Sequence, residues 1–482
     1  MPLRKQHLAP RMFSWWWSHR MSGMTSGATD GITIRIAPPI APALAFLCTI
    51  WFSDLFAPAP ALGASEHPSN VIQIRVGDPP VLAADTRADR LQHDDSLLVR
   101  RSCRTMGTTA TVTLVRPSPA SQDHSVGGSV ADSLFLLARR EFLRVDSLMS
   151  NWTETSEVAR INRELGEAPL EIHPEVAAVV AVGLQVGEES HGAFDLTVEP
   201  LVRLWGFLGG TPALPAHRDI RATLRLVDYR RLRLADGMIS VRRRSDPSFE
   251  RLGVPRDRPR IDLGGIAKGY GVDNASRVLR SAGVQDALID LSGNMVALGR
   301  PPGRDAWLIG VRDPRDRMVS LGEIQLRDRA ISTSGQYEQF VAANGTTYGH
   351  ILDPRTGWPV SGVLGTTVIA PDAITADAWS TAFLVLGPRE ARRLAKERSD
   401  LDLILVVPAA AQGRLEPVTS GAAESAAEPD GGDGTEVAEN AGPIGYGSGA
   451  RSPSAPDTVW VESSLRSLFQ LRPDGVLILR EF

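Results

Sequence analysis

Between residues 131 and 150 the apolar positions of ADSLFLLARREFLRVDSLMS fall on a helical period with charges between them, which predicts an amphipathic helix. A second helix is predicted at PEVAAVVAVGLQVGEES, opened by Pro174 at a position where proline is tolerated. A third is predicted over GYGVDNASRVLRSAG, closed by Gly283. TADAWSTAFLVLG predicts a fourth. Residues 103–116 (CRTMGTTATVTLVR) carry the Val- and Thr-rich character of a strand, and further strands are predicted at about 238–243 (MISVRR) and 259–264 (PRIDLG). The short strands DALIDLSG, AWLIGVRD, SLGEIQLRD, AISTSG and TTYGHILD follow, and LDLILVVP and GVLILREF finish the chain. Short strands and long helices without strict β-α alternation predict an α+β fold rather than a doubly wound sheet. There is no internal repeat. Residues 409–458 break the pattern, with a single aromatic, Tyr446, and few bulky aliphatics. Such a segment buries too little apolar surface to offset the cost of ordering, so a disordered insertion between late strands is expected.

Composition changes the picture mainly at the front. At 482 residues, with 43% hydrophobic and 22% charged positions, the chain suits a globular protein with a sizeable core. A net charge of −4 gives no electrostatic case for nucleic acid or a membrane surface. Residues 1–64 differ: the uncharged stretch IAPPIAPALAFLCTIWF follows Arg35, and APAPALGASE supplies small residues after it. This predicts an export signal with a long front extension, an uncleaved membrane anchor being the competing reading; a start at Met21 or Met24 is a further one. The run is too short and proline-rich for a comfortable transmembrane helix. Residues 65–98 are polar and predict a linker. Of the two cysteines, Cys48 lies inside the signal, where Leu47 spoils a lipid-attachment site, and Cys103 has no partner. A disulfide framework and a cysteine-based metal site are both excluded.

Five stretches are candidates for chemistry. IDLGGIAKGYGVD (261–273) sets a lone cation, Lys268, among four glycines. It fits neither the Walker spacing nor the G-x-G-x-x-G fingerprint, and a tight turn into a helix with a surface lysine is the plain alternative. GHILDPRTG (349–357) ends a predicted strand with His350, a side chain matched to proton transfer near neutral pH; Asp353 before Pro354 reads as a turn former. In TADAWSTAF (375–383), Asp377 and Thr381 share one helix face. A carboxylate plus a hydroxyl is hard-oxygen ligation of the kind Mg²⁺ accepts. The dipole of a helix N-terminus also favours Asp there, and a helical Thr often bonds back to the carbonyl four residues earlier. HGAFDLTVEPLVRLWGF (191–207) carries Ala193, Phe194 and Asp195 from a helix end into a loop, with Trp205 and Phe207 as core candidates. MSNWTETSEVARIN (149–162) places Trp152 in a polar loop, where it could stack on a planar ring or lid the core. Met106 and Gly107 stand at an expected strand start.

Together and in this order, DLGGIAKGYGVD, HILDPRTG and TADAWSTA resemble the signature of the FAD:protein FMN transferases, the ApbE family of flavin transferases, over roughly residues 103–408. The resemblance implies an ApbE-like, T-fold-related α+β fold with mixed or antiparallel sheets and packed helices, in a single catalytic domain spanning 99–482. It implies Mg²⁺-dependent transfer of FMN from FAD to a Thr or Ser hydroxyl of a target protein, with release of AMP. Mg²⁺-dependent FAD hydrolysis, or FAD binding without catalysis, are the alternatives. By the same resemblance, His350 is the general base, and Met106, Trp152, Ala193, Phe194, Asp195, Asp262 and Lys268 contact FAD. The Gly265 carbonyl, Asp377 and Thr381 hold Mg²⁺. The implied partner is a flavin-carrying subunit of a membrane redox complex. The implied location is outside the cytoplasm, in the periplasm, with anchoring through the N-terminus as one arrangement.

Overall fold

In a computed structural model, residues 97–116, 124–242, 259–336, 340–343, 346–408, 457–462, 465, 468–471 and 477–481 are described. All belong to one compact unit, Ser69–Phe482. Residues 1–64, the linker up to residue 96, and 409–456 of the expected insertion lie outside the described residues.

The strands and helices run in the order β1 (Leu98–Thr105), β2 (Thr108–Val115), α1 (His124–Met149), α2 (Glu157–Glu164), β3 (Leu170–Glu171), α3 (Pro174–Glu189), α4 (Glu199–Leu204), α5 (His217–Leu224), β4 (Leu232–Ala235), β5 (Met238–Val241) and α6 (Ala267–Ser281). Then come β6 (Ala287–Leu291), β7 (Asn294–Leu298), β8 (Trp307–Asp313), β9 (Asp316–Leu326), β10 (Arg329–Gly335), β11 (Phe340–Ala343), β12 (Thr346–Gly349), β13 (Gly365–Ala370), α7 (Ala373–Glu397), β14 (Asp402–Val407), β15 (Asp457–Val461), β16 (Phe469–Leu471) and β17 (Leu477–Glu481). The architecture is α+β. A nine-stranded sheet is ordered β1-β2-β6-β7-β10-β13-β14-β15-β17, antiparallel throughout except for the parallel pair β15–β17. Smaller sheets, β16-β9-β8, β3-β5-β4 and β11-β12, complete it.

Both faces of the large sheet are covered, which explains the unbroken apolar run of β14. Leu403, Leu405 and Val407 face the main core with helix residues such as Phe142, Val180, Leu279 and Phe383. Ile404 and Val406 face a second core with Trp307, Ile309 and Ile324 of β8 and β9. Alternate side chains of one strand point to opposite faces, so a strand buried on both sides loses its polar alternation.

Two predicted strands are reshaped. Residues 103–116 form a hairpin, because Met106 (φ 48°) and Gly107 (φ 71°) make a tight turn between β1 and β2. Positive φ at both positions is the signature of a type I′ two-residue hairpin loop. Glycine takes it freely; Met106 is held there by its N–H, which donates to Asp146 Oδ2 at 3.1 Å. Residues 259–264 are not a strand. Their main chain is satisfied elsewhere: Ile261 N donates to Asn162 Oδ1 (2.7 Å), Ile261 O accepts from the Asn162 and Asn151 amides, and Asp262 N donates to Leu196 O (2.7 Å). Side chains have replaced a neighbouring strand. TADAWSTAFLVLG forms a longer element than predicted, α7, whose backbone breaks at Gly387 (φ 79°) before Pro388. At the other boundaries Leu98 already opens β1, and residues 457 and 458 already belong to β15.

Candidate active site

The site is built where α6 crosses α7. The two helices touch at Gly269, where a Cβ would stand 2.2 Å from the Ala373 carbonyl oxygen and 2.8 Å from Asp377 Cβ. At position 269 the missing Cβ lets one helix approach another. Gly269→Ala is expected to destabilise the fold by about 3 kcal/mol, the upper part of the range for overpacking. Gly271→Ala, whose Cβ would meet Phe142 at an ordinary 3.6 Å, is expected to be neutral or to stabilise by up to about 1 kcal/mol through helix propensity. Urea unfolding of both variants checks the pair.

The crossing is fastened by two carboxylates. Gly269 N donates to Asp377 Oδ2 at 2.9 Å. In the other direction Asp273 of α6 accepts Ala373 N (2.8 Å) on one oxygen and Ile374 N (2.9 Å) on the other, while Asp372 accepts Thr375 N (3.0 Å). Three main-chain donors that open α7 are thereby capped. Sequence reasoning did not single out Asp273, although it ends the glycine-rich motif. Burial pushes its carboxyl up to about 6, against those two donors. A folded-state value above the unfolded one means that the group stabilises most below about pH 4, and that this contribution is lost as pH rises through about 6. The cost of Asp273→Asn should therefore be larger at pH 4.5 than at pH 7.5, by up to about 2 kcal/mol. Equal costs from urea unfolding at the two pH values would show the assignment to be wrong.

Around this crossing the predicted residues gather. Lys268 Nζ donates to Gly264 O at 2.8 Å, and Gly264 N donates to Asp262 Oδ1 at 2.6 Å. Burial raises the Asp377 carboxyl, with the Lys268 charge and the Gly269 N–H opposing. Burial also raises Asp262, opposed by the Gly264 N–H and the Lys268 charge and reinforced by the negative charge of Glu199. The Lys268 charge thus favours the ionised form of both carboxylates. A Cβ on Gly265 would stand 3.2 Å from Phe194 Cε2 and 3.4 Å from Thr381 Oγ1, so Gly265, Phe194 and Thr381 are neighbours. Thr381 does not bond back to its own helix: its hydroxyl meets Ser334 Oγ at 3.3 Å, and Ser380 Oγ takes the Asp377 carbonyl at 2.9 Å.

The other predicted residues take different places. Met106 lies against Gly271, its sulfur 3.8 Å from where a Cβ would stand. Ala193 is buried beside Phe194. The Asp195 carboxylate turns inward, accepting from Thr197 N, Thr197 Oγ1 (2.6 Å) and Tyr229 N, and burial pushes it up to about 6. Trp152 is 69% exposed, next to Asn151, whose amide binds the Ile261 carbonyl. His350 follows β12 and meets Phe207 edge-on, with ring centroids 6.4 Å apart. It thus stands beside the aromatic cluster of Trp205, Tyr348 and Trp358. Asp353 N donates to Trp358 O, the Asp353 carbonyl accepts from Thr356 N and Gly357 N, and its carboxylate accepts from Arg355 N, as in a turn former.

No cluster of three His, Cys, Asp or Glu side chains occurs among the described residues. A cation at this site would rest on one carboxylate, one hydroxyl and main-chain carbonyls. The donors fit a hard divalent ion, since among the described residues Asp377 Oδ1 receives no donor, and Gly265 has no side chain to fill the space beside Thr381.

The ApbE family model matches residues 106–405. The FAD:protein FMN transferase of Klebsiella pneumoniae (strain 342) is 33% identical over 282 residues, covering 58% of this chain and 82% of that protein. The FAD:protein FMN transferase of Treponema pallidum (strain Nichols) is 29% identical over 313 residues, covering 63% and 83%. Among solved structures, the apo flavinyl transferase ApbE of Pseudomonas stutzeri superposes with a TM-score of 0.54 at 30% identity, covering 64% of this chain and 91% of that one. The matched span holds the whole α6–α7 crossing together with Met106 and His350, and the chain belongs to the ApbE family.

Proposed function

We propose that this protein transfers FMN from FAD to a Thr or Ser hydroxyl of a target protein in a Mg²⁺-dependent reaction that releases AMP. Family membership and the FMN transferases that resemble it make the chain a flavin transferase. The cation, the acceptor hydroxyl and the leaving group are our reading of the site. One observation supports it above the rest: Gly265, Lys268, Asp377 and Thr381 come together although the two chain segments that hold them are far apart in sequence.

In this reading the acceptor oxygen bonds to the FMN-side phosphorus, the bridging P–O bond breaks, and AMP departs with the bridging oxygen. Lys268 neutralises diphosphate charge, and His350 takes the proton of the acceptor hydroxyl, whose own pKa is too high for it to ionise unaided. The Gly265 carbonyl, Asp377 and Thr381 would hold Mg²⁺, which would supply Lewis-acid stabilisation of the transferring phosphoryl group. In this reading Met106, Phe194 and Asp262 contact FAD, and exposed Trp152 offers a face for a planar ring. The acceptor, in our reading, is a flavin-carrying subunit of a membrane redox complex. The export signal in residues 1–64 puts the reaction in the periplasm, with that segment cleaved or holding the enzyme at the inner membrane.

The test is to incubate the protein with FAD, Mg²⁺ and a candidate acceptor domain and weigh the acceptor. A mass increase of one FMN, with AMP in solution, is expected. Free FMN and AMP without an adduct would replace transfer by hydrolysis, and intact FAD would leave only binding.

A further inference from the structure

Behind Thr381 lies a row of hydroxyls that the reaction as described does not use. Ser332 Oγ donates to Asn294 Oδ1 at 2.7 Å. Ser380 Oγ lies 3.2 Å from Ser332 Oγ, 2.7 Å from Ser334 Oγ and 2.9 Å from the Asp377 carbonyl oxygen. Ser334 Oγ in turn lies 3.3 Å from Thr381 Oγ1. Ser332 and Ser380 are almost fully buried, so water does not rearrange these bonds freely.

Each hydroxyl has one proton, and that settles the direction of the row. Ser332 has committed its proton to Asn294. Three protons remain, on Ser380, Ser334 and Thr381. If Ser380 donates to the Asp377 carbonyl, Ser334 donates to Ser380 and Thr381 donates to Ser334, then all three are used. In the opposite direction Ser380 donates to Ser334, Ser334 donates to Thr381, and the Thr381 proton has no protein acceptor among the described residues. The first arrangement makes one more hydrogen bond, worth about 1 kcal/mol. It also turns the Thr381 proton toward Ser334 and leaves the lone pairs of Oγ1 free for the Gly265 side.

We propose that Ser334, backed by Ser380, is a positioning residue that fixes the rotor of the Thr381 hydroxyl so that its lone pairs face the cation. This rests on the cation reading given under the proposed function. A cation at Oγ1 polarises the O–H bond and makes it a better donor to Ser334, so the relay and the cation reinforce each other. The relay itself runs through buried and half-buried side chains of β10 and α7.

The test uses Mn²⁺ as probe, followed by loss of the free-ion signal in electron paramagnetic resonance, with the full-length protein and FAD present. Ser334→Ala should weaken Mn²⁺ binding about 3- to 10-fold, the scale of one lost hydrogen bond. Ser334→Thr, which restores a hydroxyl, should recover most of it. Ser334→Cys keeps the shape with a poorer acceptor and should fall between, which provides a second reading if the alanine variant folds badly. Thr366→Val is the control. Its hydroxyl donates to the Ser380 carbonyl at 2.6 Å, so its loss should lower the melting temperature and leave Mn²⁺ affinity unchanged. Parent-like affinity in both Ser334→Ala and Ser334→Cys, or equal weakening in Thr366→Val, would overturn the relay while leaving the cation site standing. A parent protein that binds no Mn²⁺ would remove the cation reading, and the relay with it.

Discussion

FMN transfer by an Asp377→Ala variant is expected to fall about 10³-fold or more, the loss of roughly 4 kcal/mol of transition-state stabilisation that a phosphoryl-clamping cation supplies. Mn²⁺ binding should vanish with it. Alanine has a second effect, because Asp377 Oδ2 is also the acceptor for Gly269 N in the helix crossing. An orphaned buried N–H costs about 1–3 kcal/mol, so part of the loss could come from a loosened crossing. Asp377→Asn separates the two. Its amide oxygen can still accept from Gly269 N, but it brings no charge to a cation. The expectation is that Asn restores most of the melting temperature lost by Ala and little of the activity. Recovery of transfer together with stability would mean that Asp377 matters only for packing.

The second large effect is expected at His350. Loss of a general base typically costs about 10²- to 10⁴-fold, and His350→Ala should fall in that range while FAD and Mn²⁺ affinities stay within about twofold, well under the 1.4 kcal/mol that marks a tenfold change. The contrast with Asp377 arises from where the two residues sit. Asp377 belongs to the α6–α7 crossing, whereas His350 follows β12 and packs edge-on to Phe207. Added imidazole should restore part of the rate to His350→Ala, since the deleted ring leaves room for it, and none to Asp377→Ala. A His350→Ala enzyme with parental turnover would move the proton to another acceptor.

Much of this arrangement was legible in the sequence, for identifiable reasons. The helical period of residues 131–150 and the proline at 174 located α1 and α3, because an amphipathic face and an N-terminal proline are local signals. Asp377 and Thr381 were placed on one helix face by spacing alone. What spacing does not carry is the partner of each group. Ile261 looked like a strand residue because its apolar neighbours do; its main chain is instead bonded by Asn151 and Asn162, about a hundred positions earlier. The Met106 turn was hidden in a Thr- and Val-rich run because methionine gives no turn signal, and its positive φ is stabilised by Asp146 from another element. Asp273 and Ser334 were passed over for the same reason. An aspartate in a helix and a serine in a strand are unremarkable until the fold sets them against the first turn of α7 and the hydroxyl of Thr381.

The central claim is that segments distant in sequence grip one divalent cation beside the diphosphate. The most direct measurement is an anomalous difference map from crystals containing Mn²⁺ and FAD. One strong peak is expected, bonded to the Asp377 carboxylate, Thr381 Oγ1 and the Gly265 carbonyl at about 2.1 Å, close to the Mg²⁺–oxygen distance. A peak held by other residues, with Asp377 engaged only by Gly269 N, would contradict it.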